Sequence, residues 1–141
     1  MIVTGFDYAR HRILVIVRGA TPREQVFDLL DMLFANQEYL SGFDVLWDQT
    51  LAEANPDWTS EEIRRLVEHY DRLNRAARRA PAREAVVVPK NNALTFGLAR
   101  MFQMQADPIR GDVQMQIFDT RAAAEAWLDE PRASEPSGTA R

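Results

Sequence analysis

Few side chains in this sequence are suited to acid–base, nucleophilic or metal chemistry. There is no cysteine, so disulfides, thiolate metal sites and a thiolate nucleophile are excluded together. Only two histidines occur, His11 and His69. Neither a His-x-x-x-His spacing nor a Ser/His/Asp order accompanies them, so no zinc site and no hydrolase triad is read. His11 falls in a predicted turn and His69 on the charged side of a predicted helix, which makes both surface residues. Asp48 is the best-placed carboxylate for general acid–base work, but no second catalytic group joins it. The expectation is a protein with no enzymatic activity, no bound metal and no cofactor.

A polar rim is the strongest remaining candidate. Asp48, Gln49 and Thr50 follow one predicted strand, Lys90, Asn91 and Asn92 a second, and Asp119 and Thr120 a third. Open α/β sheets bind ligands outside the carboxyl ends of their strands. Amide donors and helix N-termini gathered there suit a small anion or phosphate. The same residue types also serve as ordinary helix caps and turn formers, and both readings stand at this point. A basic helix face is the other charged feature. Arg64, Arg65, Arg72, Arg75, Arg78 and Arg79, with Arg83 beyond, oppose Glu61, Glu62, Glu68 and Asp71. Glu61–Arg65, Glu68–Arg72 and Asp71–Arg75 sit at i, i+4 and neutralise locally. A solvated face is expected, with an acidic protein or anionic membrane surface as the alternative partner.

These residues need a scaffold, and the chain reads as one. Its 141 residues fit a single domain, and 46% hydrophobic with 27% charged residues is ordinary globular composition. A net charge of -4 argues against general nucleic-acid binding. No apolar run approaches the roughly 20 residues of a membrane span, and no targeting signal is read. A bacterial, cytoplasmic location is expected. Residues 2–6 and 12–17 read as a strand hairpin. Thr21 and Pro22 open a helix whose stripe is Val26, Phe27, Leu29, Leu30, Leu33 and Phe34, ended by Asn36 and Ser41-Gly42. Residues 43–47 form a third strand. Thr59 caps a second helix, with Glu62 completing a capping box, and Arg78-Arg79 suit its C-terminal dipole. Residues 85–88 are a fourth strand. Asn91 or Asn92 caps a third helix reaching about Ala106. Residues 113–118 alternate apolar and polar, as on a sheet edge, and a last helix runs through Leu128.

The order is ββαβαβαβα, without internal repeats. It predicts an α/β fold: a mainly parallel five-stranded sheet with an N-terminal hairpin and four helices. One domain spans 1–129, and 130–141 is a disordered tail rich in Pro, Ser, Gly and charge.

This order, with its residues, resembles the SpoIIAA-like family, relatives of the STAS domain (sulfate transporter and anti-sigma factor antagonist). Residues 83–104 carry the strongest likeness, in Ala85-Val86-Val87-Val88-Pro89 and then Phe96-Gly97-Leu98-Ala99-Arg100-Met101-Phe102. A second stretch is 113–118 followed by Ala124-Glu125-Ala126-Trp127-Leu128. The resemblance implies a small regulatory α/β module with no established enzyme activity. In anti-sigma antagonists it also implies a phosphorylatable Ser after the central strand, in an Asp-Ser-x-Gly motif. Here that region is Asp48-Gln49-Thr50, and the motif is absent. Thr50, Thr59 and Ser60 remain the phosphorylation candidates.

The third helix is unusual in being apolar on more than one side. Leu94, Leu98, Met101 and Phe102 make its expected core stripe, which turns Phe96 the opposite way and leaves Met104 off the edge. An exposed Phe–Met patch marks an interface. Phe96, Arg100 and Met104 are therefore interface candidates, for a protein partner or a second copy of this chain. The favoured expectation is a STAS-like interaction module. A small-ligand carrier for a lipid or anion, with a pocket beneath the third helix, is the alternative.

Overall fold

The computed structural model describes residues 1–131. Five strands form one mixed sheet in the order β1-β2-β3-β4-β5. β1 (Ile2–Asp7) and β2 (Arg12–Ala20) are the antiparallel hairpin, with Ile2 opposite Val17 and Asp7 opposite Arg12. Asp7 stabilises the turn by accepting from the backbone and guanidinium of Arg10 at 3.1 and 3.0 Å. β2 then pairs parallel with β3 (Asp44–Glu53), β3 with β4 (Ala82–Val87), and β4 with β5 (Val113–Phe118).

Spatial order equals chain order, so every crossover steps in the same direction. Right-handed crossovers then place their helices on one face of the sheet. These are α1 (Arg23–Phe34), α3 (Ser60–Ala76) and α4 (Ala93–Ala106). The main core agrees, joining Ile13, Val15 and Val45 to Leu29, Leu30, Leu33, Phe34 and Leu66. The opposite face is closed by α5 (Arg121–Asp129), where Leu46, Ala85 and Val87 meet Ala124 and Leu128. Adjacent strand residues thus serve different layers, Val45 the three helices and Leu46 α5.

The described residues hold five α-helices rather than the expected four. Residues 37–40 were expected to lie in a turn, but Gln37–Leu40 is a one-turn helix, α2. The Asn36 side chain caps it by accepting from Tyr39 N at 3.0 Å. That turn carries Tyr39 into the core. β3 runs past its expected end at 47 because the tail of β2 holds it, pairing Arg18 with Leu51 and Ala20 with Glu53. A polar segment held by ladder bonds carries no apolar signature. At α1, Pro22 rather than Thr21 occupies the cap position, with no side-chain cap bond. Thr21 is buried; its Oγ1 lies 3.4 Å from the N-terminal amine, and its carbonyl accepts from Asn55 at 2.9 Å. β5 lies at the sheet edge, with Gln114 and Gln116 exposed as their alternation predicts.

The domain end is tied down more firmly than its composition suggests. Arg83 donates to the carbonyls of Trp127 and Glu130, each at 2.8 Å, and to Pro131 at 3.1 Å. Arg12 pairs with Asp129 at 2.7 Å. Glu130 and Pro131, expected to begin a free tail, are therefore held through their carbonyls. The rest of the expected tail, 132–141, lies outside the described residues. Among the described residues no helix is long and apolar enough to cross a membrane.

Candidate functional site

The polar rim forms at the strand ends, but its groups satisfy one another. Asp48 Oδ1 accepts from Thr50 N at 3.0 Å and Thr50 Oγ1 at 2.5 Å. Its Oδ2 receives Arg121 of α5 at 3.4 Å. Asp119 accepts from the Lys90 backbone N–H at 2.8 Å. Asn92, rather than Asn91, caps α4, accepting from Thr95 N at 3.4 Å while donating to Ala52 O at 2.9 Å. Thr120 caps α5 through Ala123 N at 3.2 Å. Two carboxylates thus hold donors that an anion would use. Gln49 lies on the other side of the sheet from Asp48 and lines a cavity there. The hydroxyl-bearing residues Thr50, Thr59 and Ser60 are exposed, and Thr59 caps α3 through Glu62 N at 3.2 Å.

The cavity is the larger feature. It lies between the sheet and helices α1, α3 and α4, with a volume of about 170 Å³. Val17, Trp47, Val86 and Met115 form its floor, Val26 and Leu30 one wall, and Ile63, Leu66 and Tyr70 the next. α4 covers it with Thr95, Leu98, Ala99 and Phe102. Leu98, Met101 and Phe102 of its expected stripe do pack inward, and only Leu94 departs from it. Thr95 and Ala106 are its buried residues, while Leu94, placed in the core stripe by spacing, is 54% exposed. A helix apolar on several sides has no unique phase in sequence, so its cap and neighbours decide what its first turn buries. Phe96 is 37% exposed, Met104 is 67% exposed, and Arg100 is also exposed.

Two acidic residues line this space, the exposed Glu53 and the buried Glu84. Glu84 lies in β4, a strand buried along its whole length, and is itself only 7% exposed. Trp47 Nε1 donates to Glu84 Oε1 at 2.8 Å, and Arg79 and the Tyr39 hydroxyl approach Oε2. Arg79 also donates to the carbonyls of Tyr39 at 3.1 Å and Phe43 at 2.8 Å. Its guanidinium stacks 3.8 Å above the Tyr39 ring. Burial alone would lower the Arg79 pKa, but Glu84 outweighs it and the guanidinium stays above its usual value. Burial, reinforced by the Glu84 charge, pushes the Tyr39 phenol well above its usual range. Tyr70 moves upward for the same reasons. Both phenols are therefore neutral O–H groups.

Sequence reasoning placed Arg79 in the last turn of a helix and passed over Glu84. The helix ends at Ala76, so Arg79 lies past it and folds inward. A usable signal existed: Arg83 and Glu84 put two adjacent charges into a short strand that runs on as Ala85-Val86-Val87, and a charge so placed demands a partner. Of the expected i, i+4 pairs, Glu61–Arg65 at 3.5 Å and Asp71–Arg75 at 3.1 Å form, and Glu68–Arg72 does not. Glu68 bonds Arg64 at 2.7 Å, whereas Arg72 reaches His69 at 3.3 Å. His69 is half-buried rather than a plain surface residue, bonding Asp31 at 2.7 Å and packing on Phe27. Among the described residues no cluster of acidic and histidine side chains is arranged to hold a metal ion. No family model matches the chain, and no curated protein matches its sequence.

Proposed function

We propose that this chain is a non-enzymatic binding module of the STAS-like type, which takes up a small apolar molecule beneath α4. The cavity carries this reading: about 170 Å³ of largely apolar space bounded by the sheet and three helices. Cavities with apolar walls and a few convergent polar groups are the usual form of small-molecule sites. The residues covering it on α4, Leu98, Ala99 and Phe102, are only half-buried. A roof so loosely packed yields more easily to an entering molecule than a close-packed core helix. The STAS-like reading rests on the resemblance of 83–104 and 113–128, and a regulatory role follows from it. Ligand occupancy would then be the regulated variable.

Trp47 and Trp58 both line the cavity, so their fluorescence reports occupancy directly. Titration with cumene or acetophenone is expected to give a saturable change in emission. Ala99→Phe, which fills the space from α4, is expected to abolish it. Absence of a saturable response to both compounds would remove the proposal.

A second reading has its own observation. Leu94, Phe96 and Met104 are all exposed on α4, which suits contact with a protein partner or a second copy of this chain. The two readings are compatible, because the roof of the cavity and the exposed patch belong to the same helix.

A further inference from the structure

Resting on the cavity reading, we infer that the site selects an uncharged molecule of about one-ring size whose acceptor oxygen takes the hydrogen of Tyr70 Oη. Tyr70 is 4% exposed and lines the cavity, yet its hydroxyl is buried without a hydrogen-bond partner among the described residues. The ring itself is fixed, edge-on to Phe34 at 5.6 Å and to Phe102 at 6.3 Å. A phenolic hydroxyl held in an apolar site without an acceptor is unfavourable, and an oxygen brought by a ligand relieves it. Glu84 takes its donors from Trp47, Arg79 and Tyr39, and no hydrogen bond joins it to Tyr70.

The same residues exclude an anionic ligand. Arg110 lines the cavity and Arg79 lies beside it, and both are engaged, as is the N-terminal amine, which donates to Arg18 O at 2.8 Å. Arg79 is bound to Glu84 and to the carbonyls of Tyr39 and Phe43. Arg110 donates to the carbonyls of Val113 and Gln103 and to Asp107. A carboxylate entering here would lose its water, find no free cation, and meet the negative charge of Glu84. Size follows from volume. An apolar cavity of about 150 Å³ accepts benzene. The space here is about 170 Å³, enough for a ring with one small polar substituent.

The test uses three probes of similar size: cumene, acetophenone and benzoate. Cumene has a methyl group where acetophenone has its carbonyl oxygen. Acetophenone is expected to bind the full chain about tenfold more tightly than cumene, the scale of one satisfied buried hydrogen bond. Benzoate is expected not to bind. Tyr70→Phe should bring acetophenone down to the affinity of cumene and leave cumene unchanged. Carbon NMR of labelled tyrosine provides a readout on the unaltered chain: acetophenone should move the Tyr70 Cζ signal far more than cumene does. Equal affinities for cumene and acetophenone would overturn the inference while leaving the cavity reading intact. So would a preference that survives Tyr70→Phe, or tight binding of benzoate. If neither neutral probe binds, the cavity reading itself falls and this inference falls with it.

Discussion

Glu84 occupies a strand with no exposed residue, and its charge is tolerated there only because Arg79 meets it. Ion pairs of this kind add little net stability when intact, because both partners lose water. Breaking one is different, since a single buried charge is left behind. Glu84→Ala is expected to reduce unfolding free energy by about 3–5 kcal/mol, measured by urea denaturation. The paired replacement Arg79→Met with Glu84→Leu should recover most of that loss. A small effect of the single substitution would show that water reaches Arg79. Trp47 depends on the same carboxylate for its indole hydrogen bond, so the cavity floor and the ion pair are coupled through one residue.

At the scale of elements, α4 roofs the cavity and is fastened near both ends, Gln103 donating to Met115 O at 2.9 Å near its C-terminus. Its first turn is fastened to β3 through Asn92, which reaches Ala52 O. Midway along it stands Gly97, and a Cβ built there meets nothing within 4 Å. Glycine inside a helix lowers its stability by roughly 0.5–1 kcal/mol relative to alanine. Gly97→Ala is therefore expected to raise stability by about that amount and to slow amide exchange across 93–106. Unchanged exchange with raised stability would place the effect in the unfolded chain alone. α3 packs on both α1 and α4, and α5 is fastened at its far end by Arg12 and Arg83.

Over the whole molecule, one-directional crossovers concentrate three helices on one face and leave α5 alone on the other. The apolar patch of Leu94, Phe96 and Met104 lies on the helix-rich side. A two-fold interface centred on Phe96, Arg100 and Met104 would bury each contact twice. Full burial of one such aromatic is favourable by about 1.5–3 kcal/mol, less here because Phe96 is already partly covered. Sedimentation at high micromolar concentration is expected to show a dimer for the wild type and a folded monomer for Phe96→Asp. A monomeric wild type would leave the patch to a foreign partner.

The α/β class, the hairpin, the alternation of strand and helix and the cap at Thr59 follow from the sequence by itself, while the cap of the last helix lay open between Asp119 and Thr120 until the structure placed it at Thr120. Each is a local matter: apolar spacing along one element, or a side chain reaching a backbone N–H within three residues. The rim residues were legible in the same way, and their mutual satisfaction was not, because Asp48 meets Arg121, 73 positions further along the chain, only once the sheet has closed. Tertiary structure alone decided the first turn of α4, where Leu94 lies outward and Thr95 inward although the rest of the stripe, Leu98, Met101 and Phe102, packs as its spacing predicts. It also decided the cavity, since empty space arises where facing side chains fall short of one another. Arg79 and Glu84 are five positions apart, but β4 points one inward and a turn after α3 folds the other onto it. Neither spacing nor periodicity records that meeting. It depends on the direction in which side chains from different elements converge.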